Sequence, residues 1–210
     1  MSNRGVSGTS VELIVYSEPN ADSTLTKSVN AFLQRHCTTA SRYECHCSLT
    51  GFFFSDDTAQ AADVLGDCVP GDLGAVHVKH GLIAKETPHL LLPVQVPRPY
   101  YAAIELFAHK MASQQNVQVR PKRIDHISLA YHDEPHGQQE WDNAVRDGYL
   151  HTLQHEALTT IQVSDQIGWD IVLLERTSKG TGQGEMHRFR TIRRWNNVDH
   201  TPLIDAKKLN

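Results

Sequence analysis

The chain has 210 residues, of which 40% are hydrophobic and 21% charged, and its formal charge is −4. That length and composition suit a globular protein with a substantial core, and the acidic balance excludes one that coats nucleic acid nonspecifically through a basic surface. A small nucleotide or an RNA terminus stays open, because such ligands need only a local cluster of donors.

In chain order, residues 11–16 read as a strand, ended by the turn chemistry of Glu18-Pro19-Asn20. Asp22 or Ser23 then caps a helix that carries Leu25, Val29 and Phe32 on one face and stops near His36. A strand over residues 43–50 follows. Its two-residue period points His46 and Ser48 out of one face and Tyr43, Cys45, Cys47 and Leu49 out of the other. Asp56 and Asp57 open a second helix through Ala61, Ala62 and Leu65. Residues 75–78 and 90–96 read as strands, with 81–88 as a connection, and Pro97-Arg98-Pro99 forms a boundary with Pro99 at a first helical position. Tyr100, Ile104, Phe107 and Met111 mark one face of a helix that ends near Gln115.

A second alternating strand, residues 124–131, sends His126 and Ser128 out of one face and Ile127 and Leu129 out of the other. Pro135-His136-Gly137 leads into one long helix with Trp141, Val145, Tyr149 and Leu153 on one side. Strands over 169–175 and 186–192 close the chain, joined by a glycine-rich hairpin loop at 180–184.

The order of elements therefore repeats about two His-x-Ser-Leu strands whose histidines lie 80 positions apart. The expected class is α+β: two pseudo-symmetric lobes, each a mostly antiparallel sheet with helices on its outer face, around a central cleft. The expected divisions are a flexible segment 1–10, a single bilobal domain 11–197 with the lobes meeting near 97–99, and a tail 198–210. The polar start lacks an apolar signal-peptide core, and no run approaches the roughly 18 apolar residues of a membrane span. Cys37, Cys45, Cys47 and Cys68 read as reduced thiols. A monomer of the cytoplasm or nucleus, with no membrane partner, is the expectation.

The chemistry lies in the paired motifs. Imidazole titrates nearest neutrality, so one ring can accept a proton while a second donates one. Attack of water on a phosphodiester needs both transfers. A hydroxyl two residues beyond each histidine, on the same face, can donate to the non-bridging phosphate oxygens. No metal or other cofactor is required. Cys45-His46-Cys47 does not read as a metal site, because neighbouring strand positions point to opposite faces.

Two H-x-[S/T]-hydrophobic motifs on strands at this separation resemble the 2H phosphoesterase superfamily, which includes RNA-ligase-like 2′,3′-cyclic phosphodiesterases. The element order from Val11 to Trp195 is also similar to the phosphoesterase region of ubiquitin-associated, SH3-containing T-cell signalling suppressors. The resemblance implies catalysis by His46 and His126, with Ser48 and Ser128 on phosphate oxygens. It implies that one histidine activates water and the other protonates the leaving oxygen, His126 and His46 respectively or, given the pseudo-symmetry, the reverse, on a nucleotide or RNA end that carries a cyclic phosphate.

Tyr131, beside the second motif, is placed to stack a nucleobase, and Phe52 is placed either to stack one or to pack in the core. Arg188, Arg190, Arg193 and Arg194 form either a phosphate-holding group or a solvated strand face, and Lys79, His80 and Lys85 are weighed in the same way. The alternative function is a silent nucleotide- or RNA-binding or signalling module of the same fold.

Overall fold

A computed structural model of the chain describes residues 10–163, 167–182 and 184–196. The expected tail 198–210, and the expected flexible segment apart from residue 10, lie outside the described residues. Among those described, no helix is long and apolar enough to cross a membrane.

The first half contains β1 (Val11–Pro19), α1 (Thr24–Arg35), a 3₁₀ turn (Thr39–Arg42), β2 (Cys47–Ser48), β3 (Phe53–Ser55), α2 (Thr58–Gly66), β4 (His77–Val78), β5 (Ala84–Glu86) and β6 (His89–Gln95). The second contains α3 (Arg98–Gln115), β7 (His126–Ala130), α4 (Gln138–Arg146), α5 (Tyr149–Thr160), β8 (Trp169–Ser178) and β9 (Arg188–Asn196). The helix starts follow side-chain chemistry. The Ser23 hydroxyl accepts the Thr26 N–H at 3.1 Å at the start of α1, and the Asp57 carboxylate accepts the Gln60 N–H at 2.9 Å at the start of α2. Pro99 is the second residue of α3, one place later than expected, and the helix ends where Asn116 turns left-handed at φ 54°.

The elements depart from expectation in several places. The long helix through Trp141 and Leu153 is two helices, α4 and α5, because Gly148 adopts φ 93°, a left-handed conformation that ends one helix and starts the next. The connection 81–88 is not featureless, since β5 within it pairs with β6 over Ala84↔Leu91 to Glu86↔His89.

All the strand pairs are antiparallel. In the first sheet β1 is central: β8 runs along one edge from Leu13 to Pro19, with β9 beyond it, and β2 and β3 share the other edge in succession. In the second sheet β6 is central, with β5 and β7 on its two edges and β4 beside its C-terminal end. Each sheet thus draws strands from both sides of residues 97–99, so that segment does not divide one sheet from the other.

Alternation along β1 serves two apolar regions. Leu13 and Val15 join the main core, to which Leu90, Leu92, Ile127 and Leu129 of the second sheet also belong. Ile14 and Tyr16, on the opposite face, pack with Val172 and Leu174 of β8 in a smaller cluster bordered by Tyr43, Phe52 and Phe189. Burial of the first set holds the sheets together. The second set forms a floor beneath the site.

Candidate active site

The two His-x-Ser motifs arrive at one place through backbone pairing between the sheets. Thr50, at the end of the first motif, accepts the Val15 N–H on its hydroxyl at 3.0 Å and so pins the motif to β1. It also bridges to Pro121, with Lys122 N–H donating to the Leu49 carbonyl at 2.9 Å and Gly51 N–H to the Arg120 carbonyl at 2.8 Å. Val94 N–H then donates to the Asp125 carbonyl at 2.8 Å, and β7 begins at the next residue. The result is a cavity of about 510 Å³ lined by His46, Ser48, His126, Ser128 and Tyr131, the five residues given catalytic or substrate-binding roles from the sequence.

The burial pattern keeps the expected alternation over Cys45 to Leu49, with the cysteines and Leu49 inward and His46 and Ser48 half-buried at the cavity. Tyr43 departs from it. Expected on the core face, it lines the cavity, with its ring centroid 5.6 Å from that of His46 and 4.7 Å from that of His187. The cause is the 3₁₀ turn Thr39–Arg42, which delays the strand to Cys47 and leaves Tyr43 outside the pleat.

The two imidazoles have different second partners. His46 Nδ1 donates to the Glu44 carbonyl at 2.7 Å, so its Nε2 carries the lone pair and accepts the Ser48 hydroxyl at 3.1 Å. The ring stacks on Tyr16 at 3.8 Å. Burial pushes His46 down to about 4; the bond to Glu44 opposes that shift and nearby His126 adds to it. His126 Nδ1 instead donates to the Asp125 carboxylate at 2.7 Å, and the same oxygen accepts the Arg123 Nε at 2.8 Å. Arg123 continues to Glu86, at 2.8 Å. Burial pulls the Asp125 carboxyl upward, but the hydrogen bonds from His126 and Arg123 outweigh it and hold Asp125 below the usual carboxylate range.

Sequence reasoning missed Asp125, Arg123, Glu86 and Tyr16. Strict alternation sets Asp125 on the face opposite His126, but β7 starts only at His126, so the residue before it is free to turn back to the ring. The signal was the adjacency Asp125-His126 itself, an acid beside an imidazole.

Tyr131 lies half-buried at the cavity, and burial followed by its neighbour Tyr43 raises its phenol well above the ordinary value, so it is a neutral group. Phe52 is neither a plain core residue nor a bare platform. It lines the cavity with the Arg176 guanidinium 4.1 Å over its ring and Phe189 parallel to it at 6.4 Å. Of the four arginines, Arg190, Arg193 and Arg194 are paired with Glu175, with Asp63, and with Glu18 and Asp170, respectively, and none of the four lines this cavity. Lys79, His80 and Lys85 do not line it either, whereas Lys122 and Arg123 do.

Cys45 and Cys47 stand behind the site with their side chains buried. Burial pushes the Cys47 thiol up to about 12 and that of Cys45 higher still, so neither supplies a reactive thiolate. Cys37 is exposed and Cys68 is buried. Under native conditions an alkylating reagent should therefore modify Cys37 rapidly and the other three only on unfolding, as mass spectrometry of the labelled chain would show. Rapid native labelling of Cys45 or Cys47 would overturn the packing described behind His46.

Among the described residues, no group of three or more His, Cys, Asp or Glu side chains is arranged to hold a metal ion. No protein-family model matches the chain, and no curated protein matches it.

Proposed function

We propose that the protein is a metal-independent phosphodiesterase that opens 2′,3′-cyclic phosphates at RNA ends or on nucleotides and leaves a 2′-phosphate. The observation that carries this reading is the convergence of His46, Ser48, His126 and Ser128, from two sheets, on one cavity. Each ring has Nδ1 engaged by a fixed acceptor, which leaves Nε2 as the nitrogen for proton exchange. The two sheets act as the two lobes of a cleft, and the volume of about 510 Å³ suits a nucleotide.

In the reaction, water loses a proton to one imidazole as its oxygen bonds to phosphorus. The bond from phosphorus to the 3′-oxygen breaks, and that oxygen takes a proton from the other imidazole. Ser128 donates to a non-bridging oxygen as negative charge grows there. Ser48, which points its hydroxyl at His46 in the free site, turns it to the phosphate when water takes its place at Nε2. Tyr131, a neutral phenol at the cavity wall, stacks or hydrogen-bonds the nucleoside.

The test is hydrolysis of the four nucleoside 2′,3′-cyclic phosphates with a chelator present, followed across pH. Turnover that survives the chelator and gives a 2′-phosphate is the expected result. Tight nucleotide binding with no turnover at any pH would replace this reading with that of a binding module, and turnover only with added metal would remove the two-histidine mechanism.

A further inference from the structure

Resting on that reading, we infer that Asp125 is a positioning residue that makes His126 the proton donor, so that His46 is the base, and of the two assignments the family resemblance leaves open this is the reverse of His126 as base. The two rings differ in what they touch behind the cavity. His46 is backed by a neutral backbone carbonyl, that of Glu44, at 2.7 Å. His126 is backed by a carboxylate at 2.7 Å. A carboxylate fixes its imidazole as a Nδ1–H donor and offsets the charge of the doubly protonated ring, whereas a carbonyl fixes the tautomer and offsets no charge.

The carboxylate is itself held in place. Asp125 Oδ1 also accepts from Arg123 Nε at 2.8 Å, and Arg123 reaches Glu86 Oε2 at 2.8 Å on β5, so the side chain is fixed from a neighbouring strand. The charged and titratable groups around His126 are Asp125, Arg123 and Lys122 from its own stretch, Glu86 from β5, His89 from β6, and His46 with the Cys47 thiol from β2. Arg123 is neutralised by Asp125 and Glu86. The Cys47 thiol is held protonated by its burial.

The surroundings of His46 complete the asymmetry. Its ring lies flat on Tyr16 at 3.8 Å and half-buried, with Nε2 accepting from Ser48. Burial favours the uncharged ring, the form that accepts a proton from water. His46 Nε2 takes the proton from water as the P–O bond forms, and His126 Nε2 gives its proton to the 3′-oxygen as the old P–O bond breaks. Exchange with solvent returns both rings to their starting forms.

The experiment compares wild type, Asp125→Asn and Asp125→Glu in the full chain. In Asp125→Asn, kcat should fall by roughly 10- to 100-fold with little change in KM. The alkaline limb of the kcat/KM profile should move to lower pH and the acid limb should stay, while Asp125→Glu restores part of the rate and of the limb. A merely structural role would lower the melting temperature without moving a limb. Movement of the acid limb alone, or no movement of either, would overturn the assignment. Nitrogen-15 NMR of the imidazoles gives a readout that needs no substrate. The expected result is that the His126 signals, and not those of His46, respond to Asp125→Asn. If the His126 signals are unchanged in Asp125→Asn, the inference fails whether or not the protein hydrolyses cyclic phosphates. If wild type shows no hydrolysis, the functional reading fails while the NMR comparison still decides the Asp125–His126 link.

Discussion

His46→Ala and His126→Ala should each lower kcat on a nucleoside 2′,3′-cyclic phosphate by roughly 10²- to 10⁴-fold, the usual worth of a positioned proton-transfer group. Neither change should unfold the protein. Both rings face the cavity and are half-buried, so truncation widens an open space and creates no closed void in the core. His46→Ala also removes the stack on Tyr16 and the partner of the Ser48 hydroxyl, so His46→Gln is the better matched control. The double variant should be little worse than the poorer single one, because two groups that serve one transition state act as a unit. Retention of activity to within tenfold in either single variant would refute the two-histidine mechanism.

The pH dependence carries a sign. His46, pushed down to about 4 by burial, stays neutral and able to accept a proton until the medium is quite acidic, so the acid limb of kcat/KM should have its midpoint near pH 4. The same shift acts on stability. His187, buried beside Tyr43, is also lowered to about 4, first by its own burial and then by Arg176 and Arg42. For both residues the unfolded chain takes up a proton near pH 6.5 and the folded chain only near pH 4. Their contribution to stability is therefore complete above about pH 6.5 and is lost as the pH falls towards 4. His187→Gln should make the acid branch of a pH–stability curve shallower, and an unchanged slope would count against that origin.

Glu134→Ala should cost roughly 1–3 kcal/mol, the penalty for leaving a buried donor without its partner, and so lower the melting temperature by roughly 5 °C in a chain of this size. Arg42 is only 7% exposed and donates to both carboxylate oxygens of Glu134, the Nη2 bond at 3.0 Å. With Glu134 gone, the guanidinium is left in the interior without its counter-ion. Arg42→Met should cost less, because the Glu134 side chain is 31% exposed and can turn to water. Arg42→Met combined with Glu134→Gln should recover part of the loss of Glu134→Ala. A cost below about 1 kcal/mol for Glu134→Ala would mean that the pair behaves as a surface pair. Activity should suffer as well. Arg42 holds His187 N–H on its carbonyl at 2.9 Å and precedes Tyr43 and Glu44, the residue whose carbonyl orients His46.

How much of this was legible in the residues varied with the range of the interaction. Helix starts at Ser23 and Asp57 were readable because a cap is a contact between residues three apart, and the faces of α1 and α3 because a helix repeats within its own length. The division of one apparent long helix at Gly148 was a local signal left unread: a glycine that turned left-handed. Strand partners were beyond local reading. The closing strands β8 and β9 join β1 from the start of the chain, and β7 joins β6 from the first half, so each sheet mixes both halves.

The site divides in the same way. His46, Ser48, His126 and Ser128 announce themselves by a repeated pattern, and the period of a strand sets each pair on one side. The sequence by itself determined those four residue types and the spacing within each pair. Only the tertiary structure decided that the pairs share one cavity, through contacts such as Thr50 with Pro121, which are long in sequence and rest on backbone groups that every residue carries. It also decided that the two imidazoles differ, one backed by the carbonyl of Glu44 and the other by the carboxylate of Asp125. Partner choice of that kind depends on where a strand begins in space, and no local period encodes it.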